Sequence, residues 1–387
     1  MRIAVVGSGR SVHALSRSVA VAERGHEVRF VTAGEVLPAE GIEVRTRPLP
    51  VHPLAAARAG RSFLADLRSF RPHLLHLHYA GSKLGTMAAL SGIRPMAVTV
   101  MGGDVLPEQH TGGLSALERR ATRRILEQSD LLLVKSEALL PALDAWGGFS
   151  AKAEVVRWGV DPACFRHDPA GAEAMRARFG LSPRDRVILS PRALAPLYNI
   201  HLLVEAMPEV RAAVPEALLL LTEYNARDDY RDSLRRRVAA LGLGDRVRFA
   251  GAVPAKDMPA LYSLAEVAAS VPSSDGLPQS LFEAMACGTP VVLGRLSAYA
   301  EVVSDGETAV LVDLAPAAIA STVVRLMLDA PGRALLAARA LERVREVAFL
   351  PREVDRVDRL YRDLAARGPR PSPRQGRLFD ALGLLLR

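Results

Sequence analysis

Residues 273–292 read SSDGLPQSLFEAMACGTPVV, and the fold turns on them. Asp275 precedes a turn made of Gly276, Leu277 and Pro278. Glu283 follows eight residues after Asp275 on a helical run, and Gly288 and Pro290 lead from it into the apolar Val291 and Val292. The order is turn, helix, turn, strand. A turn that feeds a helix start leaves backbone N–H groups without intrahelical partners, which suits an anion. Gly276 allows close backbone approach or positive φ, and Ser280 can cap or donate. Glu283 follows Asp275 about two helical turns later. From the residues alone, two accounts stay open. Either Asp275 and Ser280 cap a helix with Glu283 in solvent, or the two carboxylates face a ribose and a sugar beside a bound anion.

Working outward, RVILSPR (186–192), ALLLLTE (217–223), DRVRFAG (245–251), EVAASVPSS (266–274) and AVLVD (309–313) are short apolar runs. Helical patterns at 197–214 and 230–244 separate them. The first half repeats the alternation: RIAVVGSG (2–9), GHEVRFVTAG (25–34), HLLHLHYA (73–80), MAVTVMGGD (96–104), DLLLVKS (130–136) and AEVVRWGVD (153–161), with a helical LSALERRATRRILEQ at 114–128. Such alternation predicts an α/β protein with parallel sheets covered by helices on both faces. The expected division is a Rossmann-like domain over 1–165 and a second over 175–345, with the Gly-, Pro- and Asp-containing stretch 158–183 as linker. A helical stretch runs from Leu335 to Ala366, and its part around 345–366 is expected to pack back on the first domain. A basic tail, 367–387, ends in LFDALGLLLR, two apolar turns suited to packing on the protein or to a membrane surface.

With 387 residues, 49% of them hydrophobic and 24% charged, the chain is long enough for two cores and is neither disordered nor fibrous. Its two cysteines, Cys164 and Cys287, supply no disulfide framework or metal-ligand spacing. No apolar run approaches the ~18 residues of a membrane span, so a cytoplasmic protein is expected, working at the inner face of the membrane if the tail touches lipid. The net charge of +8 comes almost wholly from arginine, only Lys83, Lys135, Lys152 and Lys256 being lysines. With aromatics at 5%, the charge does not argue for nucleic acid.

The Asp275-x7-Glu283 pattern followed by AMACGTPVV resembles the E-x7-E motif of the family-four retaining glycosyltransferases. RIAVVGSG with GHEVRFVTA is similar to their opening βαβ unit, VVRWGVDPACF to their interdomain segment and VILSPRALAPLYN to their phosphate-clamp region. The resemblance implies the GT-B architecture, two Rossmann-like domains facing a cleft. It also implies transfer of a sugar from a nucleoside-diphosphate sugar, UDP- or GDP-linked, without a metal or other cofactor. It leaves the acceptor open among a lipid-linked sugar, a polysaccharide and a small metabolite. Carried over residue by residue, Glu283 binds the ribose, Asp275 contacts donor-sugar hydroxyls and Arg192 clamps the diphosphate. The turn of Gly276, Leu277, Pro278, Gln279 and Ser280 holds sugar or phosphate through the backbone N–H groups near Gly276 to Ser280, with Tyr198 and Asn199 in the donor pocket.

The chain departs from the family pattern at four places. Leu197, Tyr198 and Asn199 stand where a second phosphate-binding residue, a lysine, is expected. Met101 replaces the histidine before Gly102, Gly103 and Asp104. Asp275 is the shorter acid, and TEYN replaces a glycine-rich loop. In the first half, Gly7 and Gly9 form an incomplete dinucleotide fingerprint, expected to let the donor approach with Arg10 and His13 nearby. Asp104, after a strand, is either an active-site acid or a turn cap. His76 and His78 share one strand face and lack a third metal ligand by spacing. Two other classes remain: a GT-B-fold epimerase or phosphorylase, and a non-catalytic nucleotide-sugar-binding homologue.

Overall fold

The computed structural model describes residues 1–48, 53–106, 109, 113–224 and 226–368. The described residues divide into two compact units, one of 1–158 with 351–368, the other of Gly159–Leu350.

In the first unit the strands are β1 (Arg2–Val6), β2 (Glu27–Thr32), β3 (Glu43–Thr46), β4 (Leu74–His78), β5 (Met96–Val100), β6 (Leu131–Val134) and β7 (Ala153–Val155). They form one parallel sheet in the order β3-β2-β1-β4-β5-β6-β7. Every residue of β4, β5 and β6 is buried. Their unbroken apolar runs follow from cover on both faces. Phe63, Leu67, Ile125 and Trp146 pack one face, while Leu15, Trp158, Val357 and Tyr361 pack the other. The helix Leu350–Arg367, strongly amphipathic in sequence, thus belongs to the first unit's core.

The second unit holds β8 (Arg186–Ser190), β9 (Ala217–Leu221), β10 (Val247–Phe249), β11 (Val267–Ser270), β12 (Val291–Gly294) and β13 (Val310–Val312). Their order is β10-β9-β8-β11-β12-β13, again parallel throughout. In both units the chain starts mid-sheet, steps to one edge and then jumps back beside its starting strand. The strand order therefore reverses between β1 and β4 and between β8 and β11. Crevices at the carboxyl ends of strands flanking such a reversal are where open α/β sheets bind ligands.

Three local expectations change. The stretch 158–183 is more than a linker, because it contains the helix Pro169–Arg178, capped by Asp168 and packed into the second core through Ala172 and Met175. The helical stretch at the end is two helices, Ala330–Val347 and Leu350–Arg367. The break has a cause in the crossing between units: Val160 N donates to Ala348 O (2.9 Å) and Leu350 N to Val160 O (3.0 Å), pulling those groups out of a helical ladder. Gly159, at φ +59°, makes this possible, since a Cβ there would lie 1.9 Å from Ala348 O. The crossing consequently falls after Trp158 rather than at the expected 165–175, and the return falls at Leu350. Strand β3 is new, a half-exposed edge strand whose EVRT carries a single apolar residue and so little periodicity. The expected tail from 369 on, including LFDALGLLLR, lies outside the described residues.

Candidate active site

The second unit gathers polar groups at the carboxyl ends of β8 and β11. Arg192 stands two residues beyond β8, and Asp275 stands in the turn between β11 and the helix Gln279–Ala286. Arg192 Nη2 donates to Asp275 Oδ2 at 2.7 Å, and Nη1 donates to Ser280 Oγ at 3.2 Å. The pair is largely buried, with side-chain exposures of 9% and 13%. Burial works against the charge of Arg192, but Asp275 together with Tyr198, Tyr299 and Tyr262 outweighs it and raises the guanidinium's pKa. Tyr198 lies with its ring 4.3 Å from the guanidinium carbon. At the position where the family pattern has a lysine, this chain therefore holds its arginine by a cation–π contact and adds no second charge.

Glu283 sits about one helical turn beyond Ser280 on the helix Gln279–Ala286. It accepts from Tyr262 Oη at 2.9 Å, and burial pushes it up to about 7, against the pull of that hydrogen bond and of the Arg192 charge. Tyr262 is fully buried with its pKa well above the usual phenol range, so it remains a donor. The Tyr299 hydroxyl donates to Asp275 Oδ2 at 3.3 Å and is held well above its ordinary pKa, chiefly by burial. Each carboxylate is thus oriented by its own tyrosine. Neither tyrosine was marked by the sequence. Tyr262 reads as one more apolar residue of the helix Met258–Leu264, and Tyr299 sits in the short turn Ser297–Tyr299.

The remaining donor-pocket candidates hold this arrangement in place. Asn199, in the left-handed region at φ +50°, sends its amide to Val271 O (3.0 Å) and Ser273 Oγ (2.8 Å), while Ser273 N donates to Leu197 O (2.9 Å). These bonds stitch the turn after β8 to the end of β11. Gln279 donates to the carbonyl of Gly159, so the helix start is tied to the crossing segment. The positive φ in the turn belongs to Leu277, at +78°, where a branched side chain is strained. Leu277 and Pro278 are buried, Pro278 being the residue just before the helix, and Gly276 is buried beside them.

In the first unit the candidates make close contacts within the chain. A Cβ on Gly9 would lie 2.5 Å from Glu35 O, so that position needs glycine, while one on Gly7 would make a tight contact 3.2 Å from His78 Cβ. Asp104 is 1% exposed, and its carboxylate accepts from Ala80 N (2.9 Å), Met101 N (3.0 Å) and Gly102 N (3.0 Å). It ties the loop 101–104 to the end of β4, the turn-cap alternative, and does not present a free acid. Behind this loop lies a buried cluster. The rings of His76 and His78 are 4.4 Å apart, and His76 sits between Tyr361 Oη (2.7 Å from Nδ1) and Thr99 Oγ1 (2.8 Å from Nε2). Arg17 stacks on Trp158 at 4.6 Å. Burial, with help from Arg17, holds both His13 and His76 down at about 3, so these rings are neutral. Among the described residues no three His, Cys, Asp or Glu side chains group as metal ligands.

Two family models divide the chain between them: Glycosyltransferase Family 4 matches residues 5–163 and Glycosyl transferases group 1 matches 172–343. The GDP-mannose-dependent alpha-(1-6)-phosphatidylinositol monomannoside mannosyltransferase of Mycolicibacterium smegmatis is 32% identical over 260 residues, 65% of each chain. The D-inositol 3-phosphate glycosyltransferase of Salinispora tropica is 30% identical over 62% of this chain and 51% of its own. The chain spans just under two thirds of the length of the mannosyltransferase relatives it matches. Among solved structures, Anabaena HepE in complex with UDP-glucose aligns with TM-score 0.82 at 18% identity, covering 94% of this chain and 100% of that one. Sucrose-phosphate synthase from Thermosynechococcus elongatus aligns at TM-score 0.81 and 21% identity, over 95% and 100%. The strand orders of both units, the Asp275-x7-Glu283 helix at the second reversal point and the two adjoining matches agree, and the chain belongs to the group 1, family-four glycosyltransferases of GT-B fold.

Proposed function

We propose that this protein is a glycosyltransferase that moves a sugar from a nucleoside-diphosphate sugar to a hydroxyl acceptor, with retention at the sugar carbon and without a metal. The observation that supports this most is the Arg192–Asp275–Ser280 cluster beside Glu283 at the β8/β11 reversal. Breaking the bond between the sugar carbon and the diphosphate leaves negative charge on the leaving phosphate. A buried guanidinium and the free N–H groups at the start of the helix Gln279–Ala286 are suited to receive it. At rest Asp275 balances that guanidinium, so an incoming phosphate competes with Asp275 for it. As Asp275 is released, its oxygens become available to sugar hydroxyls. Glu283, near 7, is poised to accept from ribose hydroxyls once ionised, so donor binding strengthens as pH rises through that value.

The relatives named above act on an inositol phosphate and on a mannosylated phosphatidylinositol, which makes a polyol phosphate or its lipid-linked form the first acceptor class to test. No helix among the described residues is long and apolar enough to cross a membrane. A lipid acceptor would then be met by peripheral contact at the cytoplasmic face.

The test is a thermal-shift panel of GDP, UDP, GDP-mannose and UDP-glucose, followed by transfer assays with inositol phosphate and phosphatidylinositol mannoside. A raised Tm with one donor and sugar transferred from it supports the reading. Binding without turnover across the donors would make the chain a non-catalytic homologue, and no response to any nucleotide would overturn the donor site itself.

A further inference from the structure

At the opposite end of the Gln279–Ala286 helix from Ser280, the second unit holds a half-open cavity of about 310 Å³. That is within the range of small-ligand pockets and has room for about ten water-sized groups. Its walls are apolar: Val160 and Phe349 from the two crossing segments, and Leu341 and Val344 from the helix Ala330–Val347. Its floor is the helix end at Ala286 and Cys287, closed by Gly288 in the left-handed region at φ +73°. Cys287 is fully buried, and burial pushes its thiol up to about 12, so it brings no charge to the floor. The carboxyl end of a helix repels anions, so an anionic group does not belong at the floor. The rim is different. Arg166 and His167 line it from exposed positions, and Arg345 lines the cavity as well. Asp168, whose charge reaches Cys287, already accepts from Gly171 N at 2.9 Å as a helix cap.

We propose that this cavity binds a small amphipathic anion, its apolar body inside against Leu341 and Val344 and its phosphate or carboxylate at the rim against Arg166 and His167. This site is independent of the donor reading, since it shares no lining residue with the Arg192–Asp275 cluster.

The probes are decyl phosphate and decanoate below their micellar concentrations and decanol below its solubility limit, with the full chain in calorimetric titration and thermal shift. Both anions are expected to bind and raise Tm, with decanol at least tenfold weaker. Arg166→Ala with His167→Ala, two exposed positions that leave the core alone, should reduce the anions to the affinity of decanol. Leu341→Trp should fill the cavity and weaken all three at least tenfold. Absence of binding by any probe overturns the proposal. So does binding of all three with one affinity that the double variant leaves unchanged, and that variant decides the matter even if Leu341→Trp fails to fold.

Discussion

Each sheet reverses its strand order once, and each reversal has an arginine near it, but the two arginines live in different surroundings. Arg192, beyond β8, has a carboxylate at 2.7 Å, a hydroxyl at 3.2 Å and a tyrosine ring against it. Arg17, on the helix Val12–Ala22 that follows β1, is 4% exposed and rests on Trp158, with Met101 Sδ 3.7 Å from Nη1 and with Nη2 lacking a hydrogen-bond partner among the described residues. Burial lowers Arg17 to about 9, while Asp275 and the tyrosines more than offset burial for Arg192. The same fold thus builds one reversal point as a neutralised charge pair. The other holds an uncompensated cation among neutral histidines. The first spends little stability to hold its charge ready; the second carries a standing penalty.

The largest expected effect comes from removing the better-held arginine. Arg192→Ala should lower transfer by about 10²–10³-fold, the usual loss when one fixed donor to a developing negative charge is deleted. It should also destabilise the fold by about 3 kcal/mol, because Asp275 is left buried without its partner. Wild-type turnover and Tm in this variant would erase the contrast between the two sites.

Arg17→Met should do the reverse. Replacing an unpaired buried cation by an apolar chain of similar length is expected to stabilise by about 1–3 kcal/mol, read as a rise in Tm. The pH dependence gives a second readout. A folded-state pKa below the unfolded one means that the native protein binds fewer protons, so this group's contribution to wild-type stability increases as pH climbs above about 9. Denaturation across alkaline pH should show that increase in the wild type and lose it in Arg17→Met.

Glu283 sharpens the comparison at acid pH. Its pKa is raised from 4.5 to about 7, so its contribution is fully present below about 4.5 and is lost as pH rises through about 7. Glu283→Gln should flatten the stability profile over that window. The change should be about 1–2 kcal/mol, allowing for the partial exposure of the residue. A smaller effect is expected in the first unit. Tyr361→Phe takes a partner from His76 Nδ1 and should cost about 1 kcal/mol in chemical denaturation, with donor binding unchanged.

Much of the fold was legible in the chain. The apolar runs at 186–190, 217–221, 267–270 and 291–294 are continuous because helices cover both faces of the sheet, and such runs stand out between amphipathic segments. Strand β3 escaped because an edge strand exposed to solvent does not need an apolar pattern. The broken helix at Ala348 escaped because the break is made by hydrogen bonds to Val160, which is distant in sequence. Of the site, Arg192, Asp275, Ser280 and Glu283 were readable through spacing and resemblance. Their mutual pairing was not, and neither were Tyr262 and Tyr299.

Local periodicity and turn residues, acting over a few neighbours, were enough to determine that this protein is two parallel α/β units with an acid-bearing helix after β11. Only folding decided that Arg192 meets Asp275, that Tyr262 lifts its hydroxyl to Glu283, that Asp104 closes a loop and that Arg17 is buried without an acid. Those outcomes depend on which side chains the packed sheets bring within about 3 Å of each other, and on how much water the packing removes around them. Residues scores apart in the chain carry no local signal of either.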